Sequence, residues 1–150
     1  MEEQPVVAIV RLAHGTVLIG RDGHVVRRSS DPALEVPAST VVLESERATD
    51  AIGATIIVPE TLTFLVTAWT FLIARGGALT PVAVHVDSND RGTYTVRTNG
   101  SMRFLLSARE PMDHQLEKLR VVLDEQFPVS AATRPRTVDV RYGDRVYITP

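Results

Sequence analysis

The chain has 150 residues, of which 44% are hydrophobic and 23% are charged, with a formal net charge of −2 and no cysteine. This length and composition predict one compact domain over residues 1–150 and exclude a largely disordered chain. The basic residues are scattered, which argues against a nucleic-acid partner or a polybasic membrane patch, and the lack of cysteine excludes disulfides and thiolate chemistry.

The first third of the chain predicts a β meander. The acidic start, MEEQ, is unlike the basic head of a signal peptide. Three short predicted strands then follow, VVAIVRL, TVLI and HVVRR, joined by turns that contain glycine. Residues 29–39 shift to serine, aspartate and proline, which predicts a surface loop before another short strand at residues 40–43.

A helix is predicted over residues 60–75. Pro59 and Glu60 suit a helix start, and Gly76-Gly77 ends the pattern. Apolar residues recur at three- and four-residue spacing, and Trp69 lies within that stripe, so we expect it in the core. The uncharged run at residues 61–74 is too short to cross a bilayer.

The next segments predict three antiparallel strands and a second helix. PVAVHVDS, GTYTVRT and MRFLLSA are separated by Asn89-Asp90 and by the favoured turn Asn99-Gly100. Pro111 opens a helix over residues 111–127. Its apolar stripe consists of Met112, Leu116, Leu119, Leu123 and Phe127. We expect this stripe and that of the first helix to pack on the same face of one sheet.

The chain ends in a predicted hairpin, TVDVRYGDRVYIT. A two-residue loop at Gly143-Asp144 would place charged side chains beside apolar ones. An odd-length loop or a bulge instead places Val138, Val140, Tyr142, Val146 and Ile148 on one face, and Asp139, Arg141 and Tyr147 on the other. We therefore predict an odd-length connection, with Val140, Tyr142 and Ile148 facing the core.

Catalytic and metal-binding signatures are missing from the sequence. The four histidines are far apart and show no metal-ligand spacing. No nucleophile elbow, P-loop or dinucleotide-binding glycine motif occurs. The sequence therefore predicts no cofactor, no metal and no catalytic residue.

Several segments resemble, in the same order, the extracytoplasmic β domain of the bacterial cell-division family FtsQ/DivIB. The opening PVVAIVRLAHGTVLIGRDGHVV is similar to the family's proline- and arginine-containing first strands. TYTVRTNGSMRFLLS, the helix containing LEKLRVVL, and VDVRYGDRVYI then follow as they do in that family. The match covers nearly the whole chain, and V-D-V-R-Y near the end is its most specific motif.

This resemblance implies an α+β fold. The family's β domain has a curved, mainly antiparallel β-sheet with two helices packed on one face and an edge hairpin at the C-terminus, which agrees with the order of elements predicted above. The family's membrane helix and its POTRA domain are not expected in this chain. The full-length protein would be a single-pass membrane protein acting on the extracytoplasmic face of the bacterial cell membrane.

The resemblance also implies a non-enzymatic scaffold of the division machinery. Such domains bind FtsB/DivIC and FtsL during septum assembly, and the last strand accepts a partner segment by β-augmentation. By position, the candidate partner-binding residues are Arg91, Arg141, Tyr142, Asp144, Arg145, Val146, Tyr147 and Ile148. The alternatives are a small β/α ligand-binding module or an enzyme of an unrecognised class, which would require a polar pocket far from the hairpin.

Overall fold

The computed structural model describes residues 5–12, 15–31, 34–45, 56–87, 92–125 and 136–149. Within these residues the chain forms nine strands, two α-helices and one short 3-10 helix. The strands are β1 (Val6–Leu12), β2 (Gly15–Gly20), β3 (Val25–Ser29), β4 (Val41–Glu44), β5 (Pro81–Val86), β6 (Thr93–Thr98), β7 (Arg103–Ser107), β8 (Thr137–Asp139) and β9 (Tyr147–Thr149); the helices are α1 (Pro59–Arg75) and α2 (Met112–Glu125), and the 3-10 helix spans Gly77–Leu79.

All nine strands belong to one sheet in the order β3-β2-β1-β4-β5-β6-β7-β8-β9. Neighbours are antiparallel except at three junctions, β1 with β4, β4 with β5, and β7 with β8. The sheet is therefore mixed but mostly antiparallel, and the fold is α+β as predicted. The opening meander, the three central antiparallel strands and the C-terminal hairpin are all confirmed.

The two helices pack on one face of the sheet. Each connects parallel neighbours, α1 between β4 and β5 and α2 between β7 and β8, and both connections step in the same direction along the sheet. Because such crossovers are almost always right-handed, both helices come to the same side. They also touch: the Arg75 guanidinium donates to the carbonyl oxygen of Leu123 at 3.3 Å and pairs with the carboxylate of Asp124. The predicted common face is confirmed.

Trp69 lies on the buried side of α1 and packs in the core, as its place in the apolar stripe predicts. The residue is 2% exposed, and its Nε1 donates to the carbonyl oxygen of Ala38 at 2.8 Å. This bond ties the segment between β3 and β4 to the helix. The other large, fully buried side chains come from both helices and both halves of the sheet: Phe104, Ile9, Ile19, Leu43, Leu62, Leu65, Leu72, Met102, Leu106, Leu119 and Leu123.

The start of α2 is fixed by a buried glutamine that the sequence pattern did not single out. Gln115 is 1% exposed, accepts from the backbone N–H of Ser107 and donates to the carbonyl oxygen of Ser107, both at 2.7 Å. Since β7 ends at Ser107, these bonds set where α2 leaves the sheet. The helix begins at Met112, and residues 126 and 127 of the predicted helix lie outside the described residues. No helix in the described part of the chain is long and apolar enough to span a membrane.

Candidate partner-binding edge

The C-terminal hairpin forms one end of the sheet. β8 pairs in parallel with β7 and antiparallel with β9, where Val138 lies opposite Ile148 and Asp139 opposite Tyr147. Residues 140–146 between the paired positions are odd in number, which confirms the predicted odd-length connection. β9 is the last strand in the sheet order, and among the described residues no strand pairs with its outer side.

Two of the side chains predicted to face the core are exposed instead. Val138 and Val140 are fully buried, as the alternation predicts. Tyr142 is 48% exposed and Ile148 is 38% exposed, so the prediction that they face the core is wrong. The alternation of side chains was assigned correctly, since Ile148 pairs with buried Val138. However, the last strand and its loop lie at the margin of the sheet, where less of the protein covers them.

The strand at this edge is shorter than the predicted pairing segment. β9 spans Tyr147–Thr149, so Arg145 and Val146 lie in the preceding loop. Val146 is partly buried and packs against the core. Tyr147 is 50% exposed. Arg91, the remaining predicted partner residue, lies outside the described residues.

Arg141 is held by a neighbouring carboxylate. Its Nε and Nη2 donate to the two carboxylate oxygens of Asp139 at 3.0 and 2.8 Å, and its backbone N–H donates to the same carboxylate at 3.0 Å. A weaker bond at 3.4 Å reaches the hydroxyl of Thr93 on β6. The guanidinium carbon also lies 4.8 Å from the centroid of the Tyr142 ring, within cation–π range. Arg141 is therefore held in place within the isolated domain.

The same carboxylate has a perturbed pKa. Burial by itself raises the pKa of Asp139, but the hydrogen bonds and charge of Arg141, with the charge of Lys118, bring the net pKa below its ordinary value. The side chains of Asp139 and Arg141 are only 16% and 18% exposed. Because solvent screens such a pair less than an exposed one, the pair stabilises the turn out of β8 more than a surface ion pair would.

Helix α2 holds the hairpin loop through two side chains. Lys118 is 8% exposed, and its Nζ donates to the carbonyl oxygens of Tyr142 and Arg145 at 3.3 and 3.4 Å. Burial lowers the pKa of Lys118, although nearby carboxylates, including those of Asp139 and Asp144, oppose that shift. Nearer the helix start, His114 Nε2 lies 3.1 Å from a carboxylate oxygen of Asp144. Asp144, a predicted partner residue, thus meets α2 in the isolated domain.

Most of this support has no signal in the sequence. The Asp139–Arg141 pair had a detectable signal, because opposite charges two residues apart on a strand share a face. Lys118 had no detectable signal. It is a charged residue beside Leu119 in the helix pattern, and its partners are backbone carbonyls of the loop, which any residue type provides. The structure brings Arg141, Tyr142, Asp144 and Arg145 together around one loop.

The arrangement suits recognition of an extended chain. β9 offers backbone groups along its outer side, with Ile148 on the helix-bearing face and Tyr147 on the opposite face. In the described part of the chain, no cluster of three or more histidine, aspartate and glutamate side chains could hold a metal ion.

No protein-family model matches the chain, and no curated protein sequence matches it.

Proposed function

We propose that this chain is an FtsQ/DivIB-like β domain, a non-enzymatic scaffold of the bacterial division machinery that binds partner proteins through β9. The observation that carries the proposal is an edge strand with exposed Tyr147 and Ile148, held by α2 at the end of the sheet. Sheet edges with unpaired backbone groups accept an added strand, and alternate side chains then select its sequence.

The order of elements supports the same family. The segment from α2 through β8 and a short turn to a terminal strand is the feature on which the resemblance is most specific, and it folds as an edge hairpin. The proposed partners are FtsB/DivIC-like and FtsL-like division proteins. The proposed location is the extracytoplasmic face of the bacterial cell membrane, where the full-length protein would be anchored by a segment outside this chain.

The chemistry of the edge defines the partner segment. An added strand next to β9 would place one row of its side chains beside Ile148 and the alternate row beside Tyr147. The first row should be apolar. Arg145 is exposed in the loop and Arg141 lies on the Tyr147 face, so acidic residues at the partner's margin would complement this end of the sheet.

Calorimetric titration tests the proposal. A peptide from the membrane-proximal region of an FtsB/DivIC protein is titrated into the wild-type domain and into Ile148→Lys, which places a charge on the edge. We expect binding to wild type and at least tenfold weaker binding to the variant, a loss of about 1.4 kcal/mol. Val82→Lys is the matched control, because Val82 is 45% exposed on β5 in the middle of the sheet.

A charge reversal sharpens the assignment. Arg145→Glu should weaken the complex and reduce its salt dependence with little change in stability, because Arg145 is exposed. Arg141→Glu is unsuitable as the first variant, since it would place two carboxylates together at Asp139. If high micromolar peptide does not bind wild type, or if Val82→Lys weakens binding as much as Ile148→Lys, the proposed site is wrong.

A further inference from the structure

Two arginines face each other on the sheet surface away from the helices. Arg97 on β6 lies directly opposite Arg103 on β7 in the antiparallel ladder. Their chain neighbours Val96 and Phe104 are buried in the core, so the alternation of side chains directs both arginines to the other face. Like charges directly opposite on paired strands are destabilising. The isolated domain therefore holds an unfavourable pair at this position.

The arginines border a depression in the sheet surface. The depression has a volume of about 240 Å³ and is lined by Glu44, Ala83, His85, Thr95, Arg97 and Arg103. Ala83 lies opposite Arg97 on the neighbouring strand and is 3% exposed. One row of side chains across β5, β6 and β7 therefore has a small side chain next to the two long side chains of Arg97 and Arg103. The row beside it contains Glu44, His85 and Thr95 in register on three neighbouring strands.

The charges lining the depression do not balance. Arg97 Nη2 donates to the carboxylate of Glu44 at 2.7 Å, which supplies one negative charge against two guanidinium groups. The two arginines and the one glutamate that line the depression therefore sum to a charge of +1. The Arg97 and Glu44 side chains are 52% and 39% exposed, so an entering ligand can reach both.

The geometry points to a binding site for a phosphate group, either free or carried as a monoester. Each guanidinium has five N–H donors in a fixed fork, and the Arg97 fork has donors beyond the Nη2 group that meets Glu44. A single arginine can engage both oxygens of a carboxylate, whereas a phosphate dianion adds a third oxygen and a second negative charge for the opposed arginine. Thr95 and His85 add a hydroxyl and a ring N–H in the neighbouring row.

This site does not depend on the proposed partner-binding function. It lies across β4, β5, β6 and β7, whereas the partner edge is β9, and no residue is shared between them. Phosphate binding could be lost while peptide binding persists, or the reverse. The two proposals therefore succeed or fail in separate experiments.

Titration followed by amide chemical shifts tests the site. Inorganic phosphate, glycerol phosphate and acetate are titrated at constant ionic strength into the wild-type domain at neutral pH. We expect saturable shifts at Ala83, Thr95, Arg97 and Arg103 with both phosphates. Tighter binding of the monoester would identify a phosphate carried on a larger molecule, and tighter binding of inorganic phosphate would identify the free ion. If acetate binds as tightly as both, or if no shift saturates, the inference is wrong.

Arg103→Gln is the decisive variant and Arg27→Gln its matched control. Removing one guanidinium should weaken phosphate binding about tenfold, the effect expected of hydrogen bonds to a charged group. Arg27 is exposed and pairs with Leu18 on the same sheet face, so Arg27→Gln removes an equal charge far from the depression. Its phosphate affinity should stay within about twofold of wild type. Equal losses in the two variants would show a nonspecific charge effect and overturn the site.

Thermal melting gives a second readout. In chloride buffer, Arg103→Gln should melt at or above the wild-type temperature, because the like-charge pair is gone. Phosphate should raise the wild-type melting temperature and leave that of Arg103→Gln nearly unchanged. A lower melting temperature for Arg103→Gln in chloride, together with an equal rise for both proteins in phosphate, would contradict the inference.

Discussion

The two ends of the sheet are built differently. β3, at one end, carries the exposed Arg27 and Arg28, and its pairing with β2 contains a register irregularity. β9, at the other end, is three residues long, and all three are exposed. Charge, irregular pairing and a very short strand are devices that keep a sheet edge from adding strands. β3 has the first two, whereas β9 has only its short length and presents a tyrosine and an isoleucine.

The segments beside the two edges are also fastened differently. After β3, carbonyl oxygens of the connection to β4 accept hydrogen bonds of 2.8 to 2.9 Å from three side chains, those of Arg11, Thr16 and Trp69. Before β9, Lys118 donates bonds of 3.3 and 3.4 Å to two carbonyl oxygens of the loop, and His114 Nε2 lies 3.1 Å from the carboxylate of Asp144. Among the described residues, the carbonyl oxygens of the connection after β3 therefore accept shorter side-chain hydrogen bonds than those of the loop before β9.

The largest expected effect is at Trp69, whose Nε1 fastens the connection between β3 and β4 to α1. Trp69→Ala should lower the free energy of unfolding by about 3–5 kcal/mol, because it removes a large buried side chain and its bond to Ala38. Trp69→Phe keeps most of the ring and loses the N–H donor, so it should cost less. Urea denaturation of both variants measures the difference. Equal and small losses would show that the β3–β4 connection is not fastened through Trp69.

The next largest effect on the free energy of unfolding is at Asp139, beside the C-terminal hairpin loop, and it depends on pH. Asp139→Asn should cost about 1–3 kcal/mol at neutral pH, because Arg141 and Lys118 lose their shared carboxylate. The folded-state pKa of Asp139 is below its ordinary value of 3.8, so its contribution is fully present above that pH and is lost as pH falls through the lowered pKa. Urea midpoints for the wild type and the variant should therefore converge in acid. A gap that stays constant from pH 6 to pH 2 would contradict this assignment.

The sequence predicted the helices and strands, and the packing of both helices on one face of the sheet, because these features follow from local patterns of apolar residues. The apolar stripes of the two helices, and the apolar segments separated by turn residues in β5, β6 and β7, indicated the type of each element. The odd connection in the hairpin followed from requiring apolar residues to share a face. The parallel pairing of β1 with β4 joins distant segments, and no local pattern specified it.

The candidate site was predictable only in part. Tyr142 and Ile148 have the correct alternation for burial, but alternation does not show where the cover over a sheet ends. Their exposure depends on tertiary position. Lys118 binds backbone carbonyls, which carry no sequence information, so its role could be seen only in the structure. Asp139 and Arg141 were identifiable as a pair from their spacing and opposite charges.

A smaller effect on stability is expected at Lys118, where amide hydrogen exchange distinguishes the β9 edge from the β3 edge. Lys118→Met keeps the apolar stem and removes the Nζ donor, so global stability should change by no more than about 1 kcal/mol. Amide hydrogen exchange should accelerate several-fold in β9 and stay unchanged in β3. Lys118→Arg serves as the control that keeps the charge. Equal acceleration at both edges would mean that Lys118 supports the whole domain and not the hairpin.

The smallest expected change in stability is at β3, and it tests whether charge closes that edge. Replacing Arg27 and Arg28 by isoleucine should alter the free energy of unfolding by about 0.5 kcal/mol or less, because both side chains are exposed. The variant should nevertheless self-associate in sedimentation velocity at concentrations where wild type does not, because an uncharged strand edge pairs with other copies. Replacing both residues by lysine keeps the charge and should give the wild-type profile. If the isoleucine variant sediments as wild type does, the register irregularity closes β3 without help from charge, and the difference between the two edges is one of backbone geometry.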